Sequence, residues 1–382
     1  MTFEDFERLL AEAGPAAAFD QLAAGFLATQ QYPRLFEARV MKKRHELGLP
    51  LISSAGTAVP PEIQKAVDDA YLAAARETGG LFLAAGDIVS AWPYHRAIGE
   101  TAPIAAAIDK FTPDPETPEV TDRVVEIAYH EGANPQKGFE LLLASHGTCR
   151  AITMFNQYPQ QKGREDCANL LVATLHAELV ERLRSAIAEA EGAAPETHDV
   201  AALIEGRDWL FGEWGYYVDT SHLVSIVQLA LELKDPVHMR KALALTDYGR
   251  RLNANFQFKG DPPFESVHAD YGVYLWAMLG ERVEEAIAYF HEKAVRFDPE
   301  DYGYTARDFF VTFLIRLGRF SEAIGAHKEF LTGANSTYIN SPSVLDICQM
   351  AGDYVQMKEL AAEKGDLLSY AAAAVSAGNG KK

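Results

Sequence analysis

The chain has 382 residues, of which 48% are hydrophobic and 23% are charged, and this balance excludes a disordered chain because it supplies the apolar surface of a large core. Its 54 acidic and 35 basic side chains give a net charge of −19, which disfavours binding to nucleic acids and to anionic membranes. Three cysteines are too few for a disulfide framework, and neither a secretory signal nor a membrane span is recognisable, so we expect a cytoplasmic protein.

Apolar residues recur with helical period through almost the whole chain, which predicts an all-α fold with at most a token pair of strands. In the first part of the chain, the capping residues and this period predict helices over 3–13, 16–29 and 33–47. Residues 51–59 are predicted to form a loop, and Pro60-Pro61 then begins another helix. The longest predicted helix is 165–191, which Gly192 ends.

A candidate linker follows that helix. The sequence GAAPET begins at Gly192 and is rich in small residues, with a proline. It divides the chain into an N-terminal helical region, 1–192, and a C-terminal helical region, 199–382. An ordinary turn between two helices is an equally good interpretation of the same residues.

A glycine-centred pattern recurs along the chain. A glycine and a mostly charged residue precede an apolar residue, and a small or apolar residue follows three positions later; the pattern occurs at Gly86, Gly318 and Gly352, and at Gly280 with one residue inserted. Each glycine is predicted to end one helix by adopting a positive φ, while the apolar residue packs back as the next helix begins. The helices predicted on either side of the last three glycines are 269–279, 283–297, 306–317, 321–331, 344–351 and 355–362.

This C-terminal part resembles the tetratricopeptide repeat. The residues that carry the resemblance are Trp276-Ala277-Met278-Leu279-Gly280, Glu285-Ala286-Ile287 and Pro299 in one unit, and Leu314-Ile315-Arg316-Leu317-Gly318, Arg319-Phe320 and Glu322-Ala323-Ile324 in the next. The resemblance covers 269–363 and is weaker over 80–99, where Pro93 predicts a kink. It implies an antiparallel stack of helical hairpins with a concave inner surface, and such stacks mostly bind peptides.

One candidate chemical motif is the pair His146 and Cys149. Gly147 is predicted to end a helix that Asn134 caps, which places the imidazole and the thiol at a break where a new helix begins. That placement suits a nucleophile with its base, or half of a metal site. The alternative is that Cys149 is a small buried hydrophobe and that His146 bonds a carbonyl at the helix end.

A second candidate is the aromatic segment that starts at Trp209, which has five aromatic residues within nine positions. Its candidate ligand-binding residues are Trp214, Tyr216, Tyr217 and His222. His222 lies in the first turn of a helix that Asp219 caps, where the helix dipole favours the neutral imidazole that serves as a base or a metal ligand. The segment forms either the wall of a pocket or an aromatic plug between the two halves of the chain.

The remaining histidines occur beside aromatic residues, and several of them facing inward would form a cavity for a metal or an acidic substrate. For each one alone, a structural role is the better interpretation. They are His95, His130, His268 and His291.

Two functions follow from these observations. The first is a helical-repeat binding or scaffold protein that presents an acidic, aromatic-lined surface to a peptide or protein partner. The second is an enzyme, either metal-dependent or based on cysteine and histidine, with a small-molecule pocket between the two halves built from His146, Cys149, Asp219 and His222. The sequence has none of the usual nucleotide-binding, zinc-protease or hydrolase signatures, and it specifies no cofactor, metal or oligomeric state.

Overall fold

A computed structural model of the chain describes residues 2–52, 59–158 and 162–379. Within these ranges the predicted all-α fold is confirmed: there are 19 α-helices and no strand, and one isolated antiparallel bridge joins Lys259 to Ser266. Most of the predicted loop 51–59 lies outside the described residues. None of the described helices combines the length and the apolarity that crossing a membrane requires.

The chain divides into two compact units, Met1–Cys167 and Ala168–Lys382. The predicted regions 1–192 and 199–382 stay a prediction. The helices of the first unit are α1 (Phe3–Ala28), α2 (Tyr32–Glu46), α3 (Pro61–Ala84), α4 (Ile88–Ala97), α5 (Ala102–Asp109), α6 (Pro118–Val125) and α7 (Pro135–Gln157).

Helices of the first unit pack mainly on their neighbours in the chain. Each helix from α1 to α4 contacts the next, and α6 contacts α7. A single π-helical turn, Glu126–His130, joins α6 to α7. Gly14 interrupts α1 with a φ of 80°, so the predicted break before Pro15 is confirmed. The helix that contains Pro93 is α4, and it continues beyond the proline to Ala97.

The helix α8 (Arg164–Glu191) begins in the first unit and continues into the second, and its bounds agree with the predicted 165–191. The remaining helices are α9 (Val200–Ile204), α10 (Thr220–Val227), α11 (Pro236–Arg251), α12 (Val267–Met278), α13 (Val283–Arg296), α14 (Pro299–Tyr302), α15 (Thr305–Arg316), α16 (Phe320–Phe330), α17 (Val344–Ala351), α18 (Tyr354–Glu363) and α19 (Leu367–Asn379).

These helices form a series of packed hairpins. Apart from the short α14, each helix from α11 to α19 contacts the next one in chain order, with α13 packing on α15. Such neighbour-to-neighbour packing is typical of helical-repeat folds, in which each hairpin buries its apolar face against the following one. The second unit is therefore compatible with a repeat architecture.

The glycines of the recurrent pattern have the conformation that the sequence predicts. Gly280, Gly318 and Gly352 have φ values of 79°, 72° and 69°. The residue inserted after Gly280 is absorbed by Arg282, which adopts a left-handed conformation with a φ of 49° immediately before α13. An extra residue at this turn therefore leaves the packing of α12 on α13 intact.

Gly318→Val is expected to lower the free energy of unfolding of the second unit by about 1–2 kcal/mol, because a β-branched residue is strained in the left-handed region. An added Cβ would meet no atom within 4 Å, so the loss comes from the backbone alone. Chemical denaturation of the variant and the parent checks this value, and equal midpoints would contradict it.

Candidate functional site

The aromatic residues near Trp209 lie in a surface loop, residues 208–217, which we call the aromatic loop. The loop contains a tight turn that is closed by a hydrogen bond of 3.0 Å, which the N–H of Gly215 donates to the carbonyl of Gly212. A Cβ on Gly215 would lie 2.6 Å from the carbonyl oxygen of Leu210, so only glycine fits there. The turn is therefore packed directly against the backbone of the same loop.

A buried tyrosine fixes the end of the aromatic loop to the helix behind it. The hydroxyl of Tyr248, on α11, accepts a hydrogen bond of 2.8 Å from the N–H of Tyr217. Tyr248 is fully buried, and burial raises the pKa of its hydroxyl, so this group stays protonated. The ring of Phe211 packs on the ring of Tyr248, with ring centres 5.7 Å apart.

Three aromatic side chains of the loop project into solvent, whereas Tyr217 is half-buried. Trp214 is 73% exposed, Tyr216 is 52% exposed and Trp209 is 47% exposed. Tyr216 is steadied by an edge-to-face contact with Phe256, 5.1 Å between ring centres. The choice between the wall of a pocket and a plug between the two halves stays a prediction.

Asp219 forms the predicted cap at the start of α10. One of its carboxylate oxygens accepts hydrogen bonds from the N–H groups of Ser221 and His222, at 2.9 and 3.0 Å. The Ser221 hydroxyl and these N–H groups lower the pKa of Asp219, so it is a stable carboxylate. His222 follows in the first turn and is half-buried. A catalytic role for either residue stays a prediction.

In the first unit, Gly147 breaks α7 with a φ of 77°, as predicted, and His146 lies directly before the break. Cys149 is exposed, so the interpretation of this residue as a buried hydrophobe is wrong. A role for Cys149 as a nucleophile, with His146 as its base, stays a prediction. So does the convergence of His146 with His222 in one pocket.

His146 contacts a hydroxyl and a carboxylate in an arrangement that only superficially resembles a catalytic triad. Its Nδ1 lies 2.8 Å from the Ser145 hydroxyl, and its Nε2 lies 3.3 Å from the Asp122 carboxylate. The Ser145 hydroxyl, however, donates its one proton to the carbonyl of Leu141 over 2.6 Å. The serine therefore accepts a hydrogen bond from the imidazole, and it is not poised as a nucleophile.

A cleft of about 390 Å³, which we call the His130 cleft, lies beside His146, and no sequence motif indicated it. His130, on the π-helical turn, lines it together with Arg150 and Tyr158. The ring of Tyr158 packs on His130 with ring centres 4.6 Å apart. Only packing of α7 on the turn brings these residues together, since up to 28 positions separate them in the chain.

Two of the remaining histidines are buried side chains that pack against glycines. His95 and His268 are each 2% exposed, and no ring nitrogen of either has a hydrogen-bond partner among the described residues. The ring of His95 fills the space beside Gly79 of α3, and the ring of His268 fills the space beside Gly249 of α11. Burial lowers the pKa of His268 to about 4, so this ring is neutral near pH 7. These contacts support the structural role predicted for both.

Groups of three or more histidine, cysteine, aspartate or glutamate side chains arranged for a metal ion are absent from the described part of the chain. The candidate sites in that part of the chain are thus three without a metal: the aromatic loop, the capped His222 and the His130 cleft.

The resemblance to the tetratricopeptide repeat rests on the quoted motifs and on the packed hairpins of the second unit. No protein-family model matches the chain, and none of the curated proteins compared with it does so either.

Proposed function

We propose that the protein is a helical binding module that holds a basic segment of a partner protein against the aromatic loop. The observation that carries this proposal is the exposure of Trp209, Trp214 and Tyr216 on a loop whose backbone is fixed. Tryptophan and tyrosine on a rigid support are the residues that dominate binding energy at protein interfaces, because they bury a large area at little cost in conformational entropy.

The charge of the chain indicates the chemistry of the partner. The net charge is −19, and the loop itself has an exposed Glu213 beside Trp214. Lysine or arginine side chains are attracted both to such carboxylates and to the face of an indole ring, a contact that is worth about 0.5–1 kcal/mol at an exposed site. A basic, extended peptide fits this surface better than an acidic one.

The architecture of the second unit supports the same function. Its hairpins pack in chain order, as in repeat proteins that present long surfaces to peptides. A tetratricopeptide-like superhelix with a concave inner face is part of this proposal. So is a cytoplasmic location, which the three free cysteines support.

Selection of short random peptides on the full chain tests the proposal. We expect the selected peptides to be enriched in lysine and arginine. Trp214→Ala is expected to weaken their binding by about 2 kcal/mol, or about thirty-fold in Kd, because a central tryptophan of an interface is lost. Fluorescence anisotropy with labelled peptides measures the change.

The matched control is Tyr338→Ala, which removes an aromatic side chain that is 73% exposed, as Trp214 is, but lies outside the aromatic loop. This control should bind the peptides as the parent does. Selected peptides that are acidic, or that bind Trp214→Ala with unchanged affinity, would refute the proposed surface.

A further inference from the structure

The His130 cleft has the features of a ligand site that is separate from the aromatic loop. Its volume of about 390 Å³ lies within the range of about 300–1,000 Å³ that is usual for small-molecule pockets. Its floor is apolar and consists of Val125, Leu142 and Met154, which are 4%, 4% and 5% exposed. We propose that this cleft binds a small anionic molecule, with its oxyanion on Arg150 and its apolar body on this floor.

Arg150 is the charge that selects an anion. Two carboxylates also face the cleft, but each has a partner of its own: the Asp122 carboxylate lies 3.3 Å from Nε2 of His146, and the Glu126 carboxylate lies 2.6 Å from Arg123. Within the described ranges, Arg150 has neither an ion pair nor a hydrogen bond of its side chain. Its guanidinium group is therefore available for a carboxylate or a phosphate, which it binds through two parallel hydrogen bonds.

His130 is the second side chain with unused hydrogen-bonding capacity at the wall of the cleft. Its Nδ1 is buried and has no hydrogen-bond partner among the described residues, although a buried polar atom normally has one. Burial lowers the pKa of His130; the nearby Glu126 opposes this effect and Arg150 adds to it, and the net result is a neutral hydrogen-bonding ring.

An unusual backbone conformation, a π-helical turn, places His130 at the cleft. Residues Glu126–His130 form a π-helical turn, in which the N–H of Glu131 donates to the carbonyl of Glu126 over 2.9 Å. Such turns are rare in proteins as a whole, but many of those that occur lie at functional sites, because the extra residue per turn redirects the side chains. Here Tyr129 points into the core while His130 borders the cleft.

Nuclear magnetic resonance of the full chain, with ¹³C-labelled histidine, tests this proposal independently of peptide binding. The probes are benzoate, phenyl phosphate and, as a neutral analogue of benzoate, benzamide. We expect benzoate or phenyl phosphate to shift the ring resonances of His130 and His146 in a saturable manner, and benzamide to shift neither. Stronger binding of benzoate identifies a carboxylate ligand, and stronger binding of phenyl phosphate identifies a phosphate monoester.

Arg150→Gln is expected to lower the affinity for the anion at least tenfold, whereas Arg150→Lys should retain part of that affinity. The matched control is Arg8→Gln, which removes the same charge from an exposed position on α1. Resonances that neither anion shifts, or equal affinity of Arg150→Gln and Arg8→Gln, would overturn the proposal. Because Arg150 is exposed, Arg150→Gln and Arg150→Lys should both keep the chemical shifts of the folded chain.

Discussion

Lys293→Met is expected to lower the free energy of unfolding of the second unit by about 3–5 kcal/mol, the usual result of removing one partner from a buried ion pair. The Lys293 side chain is 6% exposed, and its ammonium lies 2.8 Å from the fully buried carboxylate of Asp270. It also donates to the carbonyl of Pro263 and contacts Glu265, each over 2.6 Å. Methionine fills the space but leaves Asp270 as a buried charge without a cation.

Two further variants separate this effect from a general loss of packing. Lys293→Met combined with Asp270→Asn removes both charges and should restore part of the stability, since replacing a whole buried pair costs less than breaking it. Lys42→Met removes a pair of similar length, 2.6 Å to Asp20, in which the aspartate is 53% exposed. That variant should lose no more than about 1 kcal/mol. Chemical denaturation measures all three, and equal losses for the two lysines would contradict this explanation.

Adjacent glycines in α3 are expected to respond to alanine in opposite directions. A Cβ at the buried Gly79 would lie 2.7 Å from a ring carbon of His95, which is itself only 2% exposed. Overpacking of this kind costs about 1–3 kcal/mol. At the exposed Gly80, a Cβ would meet no atom within 4 Å, so alanine should stabilise the helix by about 1 kcal/mol.

Thermal or chemical denaturation of Gly79→Ala and Gly80→Ala should therefore separate the two variants by about 2–4 kcal/mol. Each variant is the control of the other, because the substitution and the helix are the same. Equal stabilities would show that the ring of His95 can leave its place beside α3.

The local features of the fold were predictable from sequence because each depends on residues close together in the chain. Gly318 and Gly352 were expected to have positive φ because a charged and an apolar residue follow each one, and both have it. The length of α8 followed from an apolar row that repeats every four residues. The caps at Asn134 and Asp219 followed from residue type alone, and their side chains accept the expected hydrogen bonds.

The candidate sites were less predictable because they depend on packing between helices. The composition of the aromatic loop marked it out, but composition does not show which of its rings the fold buries. Nothing in the sequence pattern distinguishes the π-helical turn at 126–130 from the helix that precedes it. His130 and Arg150 face one cleft only because α7 packs back on that turn.

The most direct test of the binding function uses the four tryptophans of the chain, labelled with fluorine for nuclear magnetic resonance. Trp209 and Trp214 lie in the aromatic loop, whereas Trp92 is 3% exposed in α4 and Trp276 belongs to α12. We expect a selected basic peptide to shift the resonances of Trp209 and Trp214 and to leave those of Trp92 and Trp276 unchanged. Shifts confined to Trp92 or Trp276, or no shift under conditions that saturate binding, would contradict the assignment of the aromatic loop as the binding surface.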